Sequence, residues 1–189
     1  MRFTVPNALS ILRMALVPVF IIAVIDGKPW QALVVFLVAG ITDALDGLAA
    51  RFWHQQTQLG AYLDPIADKL LLTSAYLTLS LASMSGSPRI PFWVTVLVIA
   101  RDVVIVIVSL VFYLALGVTK FPPAAISKVT TAAQVVAVLL VLLAGVVPSL
   151  ETASLLSLYL VAGLTIASGL FYIARSNRMV EVKNQNPSP

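Results

Sequence analysis

Apolar residues gather in six long blocks, roughly 8–26, 30–51, 61–83, 91–116, 124–147 and 152–174, separated by short polar breaks. Each block is about as long as the ~20 residues a helix needs to cross a bilayer. Asp26-Gly27-Lys28-Pro29 reads as a tight turn, and Ser85-Gly86-Ser87-Pro88 and the stretch from Lys120 to Pro123 as further breaks. From Arg175 onward the chain is polar and dotted with proline, which predicts a flexible tail over roughly 176–189. The pattern predicts an all-α polytopic membrane protein, with six transmembrane helices in a single domain spanning 1–189.

Composition agrees with that pattern. At 60% hydrophobic and 11% charged over 189 residues, with a mean hydropathy of +1.00, the chain has more apolar surface than a soluble domain of its size could hide. Cysteine is absent, which removes disulfides and thiolate metal sites, and His54 is the one histidine, so no histidine-rich site can form. A net charge of +4 could invite nucleic acid, but topology explains it better. Six crossings put Arg2, Arg13, Arg51, Lys120, Lys128, Arg175, Arg178 and Lys183 on one side, against Lys28 and Arg89 on the other. The positive-inside rule makes the first side cytoplasmic. No small-residue cleavage site precedes Asp26, so the first block is expected to stay as a membrane helix rather than be removed as a signal.

Against this apolar background, residues 40–72 stand out. Asp43 and Asp46 are three apart at the end of the second block, and Asp64 and Asp68 four apart at the start of the third. On helices each pair shares a face, and both pairs lie at the cytoplasmic end. Four carboxylates gathered in a low-dielectric setting would repel and protonate unless a strong positive charge lay between them. Divalent cations fit that requirement. Gly40, Ala44, Gly47, Ala49 and Ala50 leave the second helix a lean face where a ligand or another backbone can come close.

The residues Asp43, Asp46, Gly47, Ala50, Arg51, Gly60, Asp64 and Asp68 spell DxxDGxxAR, eight residues, GxxxDxxxD. In this the chain resembles the CDP-alcohol phosphatidyltransferases, and the likeness extends to Pro6-Asn7, Ser10 and Arg13 at the front and to Ser127-Lys128, Thr131 and Gln134 in the fifth block. The resemblance implies transfer of a phosphatidyl group from CDP-diacylglycerol to an acceptor hydroxyl with release of CMP. The site would be a cytoplasm-facing cavity, open sideways to lipid. It implies Asp43, Asp46, Asp64 and Asp68 as ligands of two Mg²⁺ or Mn²⁺ ions, the choice hard oxygen donors favour, with Asp68 also the general base. Gly47, Ala50, Arg51 and Gly60 would receive the nucleotide of the donor, Arg51 through a planar, permanently charged group. It further implies a homodimer, membrane lipid as surroundings, no nucleic-acid partner and, as location, a bacterial inner membrane.

Other charges are read with less help from the pattern. Arg101 and Asp102 lie within the fourth block, where charges are functional candidates. Being adjacent, they are expected to point in different directions. Arg101 is assigned to acceptor or substrate phosphate, and Lys128, near the cytoplasmic start of the fifth helix, likewise. Lys69 is expected to snorkel or to balance carboxylate charge, Asn7 and Arg13 to hold the nucleotide or the entrance helix. Ile126-Ser127-Lys128-Val129, with one lysine where phosphatidylglycerophosphate synthases usually show two, resembles the CMP-forming cardiolipin synthases. Phosphatidylglycerol is therefore the first expected acceptor and glycerol 3-phosphate the second. A cation transporter is the reading from another class. Acidic pairs at one membrane end, and the glycine and arginine spacing, speak against it.

Overall fold

The computed structural model describes residues 5–53, 58–82, 89–116 and 125–185, with side chains described over 8–43, 64–82, 89–108, 126–172 and at 110 and 114. Six α-helices occupy the described residues: α1 (Val5–Ile25), α2 (Pro29–Trp53), α3 (Gln58–Leu81), α4 (Phe92–Leu116), α5 (Ala125–Ala144) and α6 (Glu151–Gln185). A single 3₁₀ turn, Pro148–Leu150, leads into α6. The all-α expectation is met, helix for block. α6 runs on to Gln185, past the point where the predicted tail begins.

The first turn shows how local chemistry sets these boundaries. α1 ends in a Schellman motif, in which Lys28 N–H donates to the Ala23 carbonyl (3.0 Å) and Gly27 N–H to the Val24 carbonyl (3.1 Å). Gly27 takes the left-handed conformation this requires, with φ of 68°. Pro29 then starts α2, where its missing N–H costs nothing.

α1 packs against α2 and α3, and α6 packs against α4 and α5. These two groups meet where α2 touches α5 and α3 touches α4 and α5. Phe20, Phe36, Tyr76, Val94, Val138 and Leu158 form the heart of the joint core, and the Phe20 and Phe36 rings lie 5.8 Å apart. Ala32, Ala39, Ala75 and Ala137 are fully buried, the small residues through which membrane helices approach closely. Two interior hydroxyls join helices through carbonyls: Thr95 Oγ1 donates to the Tyr76 carbonyl (3.2 Å), and Tyr76 Oη to that of Gln134 (3.3 Å), tying α4 to α3 and α3 to α5.

Large apolar residues also face outward on every helix, among them Ile22, Ile41, Leu77, Ile107, Val136 and Leu160. A surface of this kind suits lipid rather than water. Among the described residues, three stretches are long and apolar enough to cross a membrane, Ala8–Ile25, Ile126–Ala144 and Pro148–Tyr172, and Pro29–Asp43 is a shorter apolar helix. These features match a polytopic membrane protein.

Candidate functional site

A cavity of about 370 Å³ opens where the two helix groups meet, with walls supplied by α1 through α5. Phe36 and Ala39 of α2, Leu71 and Leu72 of α3, Ile105 of α4 and Val135 of α5 make it apolar over much of its surface. Its polar side chains form two groups.

In the first, α1 meets the acidic helices. Arg13 is fully buried, and its Nη1 lies 2.9 Å from Asp43 Oδ1. The same nitrogen donates to Asp68 Oδ1. One turn earlier, Ser10 Oγ donates to Asp64 Oδ1. Thus α1 presents a serine and an arginine, three positions apart, to three of the four predicted metal ligands. Asp43 and Asp68 remain about half exposed, so their carboxylates stay reachable from the cavity that both line.

A second charged group also lines the cavity. Arg101 is buried and donates through Nε and Nη2 to Ser168 Oγ (3.3 and 2.9 Å) and through Nη2 to Ser127 Oγ (2.8 Å). Its Nη1 donates to Asp102 Oδ1 at 2.8 Å. Asp102 in turn meets Lys69 Nζ at 3.2 Å. This corrects the expectation that Arg101 and Asp102 point apart. Their Cα positions are turned about 100° from each other, but the long guanidinium reaches across that angle. The result is a chain of charge from α3 through α4 to hydroxyls on α5 and α6. Arg101, Asp102, Lys69, Ser127, Thr131 and Gln134 all line the cavity.

Of the residues singled out in the sequence, Asp43, Asp68 and Arg101 therefore share one cavity. Asp64 is tied to Ser10 of α1. Lys128 is exposed and is not among the lining residues, whereas Ser127 beside it is. Asp46, Gly47, Ala50, Arg51 and Gly60 fall on helical backbone, but their side chains lie outside the described residues. The roles of Arg13 and Ser10 toward the carboxylates were not read from the sequence. A signal existed, because a charge inside an apolar run demands a partner and the nearby acids were the aspartates.

The donor set can be tested against a cation. Two carboxylate oxygens from different helices converge on one positively charged nitrogen, so the fold already brings hard oxygen donors together around positive charge. Among the described residues no group of three acidic or histidine ligands is gathered. Asp46, the fourth predicted ligand, lies outside that set. The residues present fit a divalent ion in kind, as carboxylate oxygens from two helices.

Comparison with known proteins bears on all of this. The sequence model described as CDP-alcohol phosphatidyltransferase matches residues 3–173. A CDP-diacylglycerol--glycerol-3-phosphate 3-phosphatidyltransferase of Haemophilus influenzae is 37% identical over 111 residues, 56% of this chain and 57% of that protein. A human cardiolipin synthase (CMP-forming) is 36% identical over 154 residues, 72% of this chain and 49% of that protein. The matched stretches thus span about half the length of these two relatives. A probable phosphatidylglycerophosphate synthase of Mycobacterium tuberculosis is 36% identical over 178 residues, 91% of this chain and 81% of that protein.

Proposed function

Because the chain belongs to the CDP-alcohol phosphatidyltransferase family, we propose that it transfers the phosphatidyl group of CDP-diacylglycerol to a glycerol hydroxyl and releases CMP. The observation that supports this reading is the pairing of two charged groups in one cavity. Asp43 and Asp68, gathered at Arg13, line it together with Arg101 and Lys69, gathered at Asp102. A donor pyrophosphate beside the carboxylates and an anionic acceptor beside the cations would meet between them.

Asp43, Asp46, Asp64 and Asp68 would hold two divalent ions, Mg²⁺ or Mn²⁺, whose charge neutralises the pyrophosphate and the departing CMP. Asp68 accepts the proton of the acceptor hydroxyl. The freed oxygen attacks the phosphorus of the phosphatidyl group, forming a new phosphate ester. The bond from that phosphorus to the oxygen of CMP breaks, and CMP leaves with the electron pair. No step requires a covalent enzyme intermediate. Arg51, Gly47, Ala50 and Gly60 would receive the donor's phosphates and nucleotide, Arg51 through its permanent charge.

Six crossings with the cavity toward the cytoplasm let the acyl chains of the donor remain in the bilayer. Assembly as a homodimer accompanies this reading, and light scattering after size-exclusion chromatography in detergent checks it.

Glycerol 3-phosphate is the first acceptor. Lys69 supplies, from α3, a second cation beside Arg101, where the fifth block offers one lysine rather than two, and the Mycobacterium tuberculosis relative spans most of both chains. Phosphatidylglycerol is the second, favoured by the Ile126-Ser127-Lys128-Val129 run and by the likeness to the human cardiolipin synthase. Purified protein given CDP-diacylglycerol and Mg²⁺ decides between them. CMP release on adding glycerol 3-phosphate supports the first, release on adding phosphatidylglycerol alone the second, and release with neither contradicts both.

Arg101→Ala removes four hydrogen bonds from the acceptor side of the cavity. The acceptor KM is expected to rise about tenfold or more while CDP-diacylglycerol binding changes by less than about threefold. Steady-state kinetics with a separate donor-binding assay checks this, and the opposite order would move Arg101 to the donor.

A further inference from the structure

Gln134 sits midway along α5 with 1% of its surface exposed. It lines the cavity that Phe36, Leu71 and Leu72 also line, yet its Nε2 has no hydrogen-bond partner among the described residues. A buried amide without a partner forfeits hydrogen bonds that water would have supplied, and such groups are rare in folded proteins. Here the group is also held in place, because Tyr76 of α3 donates to the Gln134 backbone carbonyl. That bond fixes the height of α5 against the helix that carries Asp68. The fold therefore keeps a polar handle on the cavity wall, and nothing among the described residues uses its Nε2.

Resting on the reading of the acceptor as a glycerol compound, we propose that Gln134 is a specificity residue that hydrogen-bonds the acceptor's middle hydroxyl. Glycerol 3-phosphate and the headgroup of phosphatidylglycerol share one unit: a reacting hydroxyl, a neighbouring secondary hydroxyl, and a phosphate on the third carbon. With the reacting hydroxyl at Asp68 and the phosphate toward Arg101 and Lys69, the secondary hydroxyl is the one polar group left to satisfy. A primary amide suits it, since the amide offers both a donor and an acceptor and a hydroxyl is both. A site built around such a bond rejects an analogue lacking the hydroxyl, because the amide is then left buried and unpaired.

The test uses full-length protein in detergent, CDP-diacylglycerol and Mg²⁺. Each acceptor is compared with its counterpart lacking the middle hydroxyl: glycerol 3-phosphate with 3-hydroxypropyl phosphate, and phosphatidylglycerol with phosphatidyl-1,3-propanediol. The wild-type protein is expected to prefer the parent acceptor by about 10- to 100-fold in kcat/KM. Gln134→Met, close in size and free of unpaired polar atoms, is expected to bring the parent down to the level of the analogue and so erase the preference, with the KM for CDP-diacylglycerol unchanged. The pair that shows the preference identifies the source of the glycerol. Equal use of parent and analogue by the wild type overturns the proposal whether or not the variant folds. So does a preference that survives in Gln134→Met, or an effect confined to the donor KM. CMP release with none of the four acceptors overturns the underlying reading as well, and so separates the two failures.

Discussion

Asp68→Asn is expected to lower CMP release by about 10²- to 10⁴-fold, the range expected when a general base is lost, while CDP-diacylglycerol binding, with three of the four proposed metal ligands kept, falls less than it does in Asp43→Asn. An amide cannot take a proton from the acceptor, but its carbonyl oxygen can still accept from Arg13, so the contact between α1 and α3 survives the change. Asp43→Asn provides the contrast. It removes a predicted metal ligand from the same cavity wall and is expected to weaken Mn²⁺ binding, which paramagnetic resonance measures directly, and donor binding with it. Near-normal turnover in Asp68→Asn would remove Asp68 from the role of base. Loss of Mn²⁺ binding equal to that of Asp43→Asn would make it a ligand first.

Arg13→Met is expected to destabilise the metal-free protein by about 2–3 kcal/mol. That is less than the ~3–5 kcal/mol typical of breaking a fully buried pair, because Asp43 and Asp68 are half exposed and water screens part of their repulsion. For a chain of this length the loss corresponds to roughly 5–10 °C in Tm. Methionine fills the volume of the arginine stem, so the effect isolates the charge. With Mg²⁺ bound, the two carboxylates have another positive partner, and the drop is expected to shrink. The variant should therefore show a larger Mg²⁺-dependent gain in Tm than the wild type, since stabilisation by a ligand that binds only the native state rises with the logarithm of its affinity. Scanning fluorimetry in detergent, with Mg²⁺ or with EDTA, measures both numbers. An equal drop under the two conditions would reduce Arg13 to a packing residue.

What could be seen in the sequence follows from what each residue does. Long apolar runs and the Gly27-Pro29 turn revealed six helices, because hydropathy and φ preference act locally. The extension of α6 to Gln185 was hidden, since a helix that continues beyond its apolar run leaves no mark in hydropathy. The aspartates stood out as four charges in an apolar chain, and the full eight-position pattern, rather than either pair alone, was what assigned them a role, since an acidic pair at a helix end is commonly a solvated cap. Arg13 was visible as a charge but not as their partner: the contact spans 30 residues to Asp43 and 55 to Asp68, and only the packing of α1 against α2 and α3 creates it. In α5 a single step decides which side chain enters the cavity. Ser127 faces it and Lys128 is exposed, because consecutive residues differ by about 100° around a helix. The phase of α5 is set by Tyr76 and by the helices beside it, none of which its own sequence encodes. Ser168, which accepts from Arg101, is one small hydroxyl among several in α6 and carried no signal of its own.

The central claim is that the carboxylates gathered around Arg13 serve phosphatidyl transfer. Its most direct measurement follows CMP and the phospholipid product together, in purified protein with CDP-diacylglycerol and glycerol 3-phosphate or phosphatidylglycerol, first with EDTA and then with Mg²⁺ or Mn²⁺ in excess. The account predicts no turnover with EDTA, and with the divalent ion one CMP for each phospholipid formed. Turnover unchanged by EDTA, or CMP appearing without a phospholipid product, would contradict it.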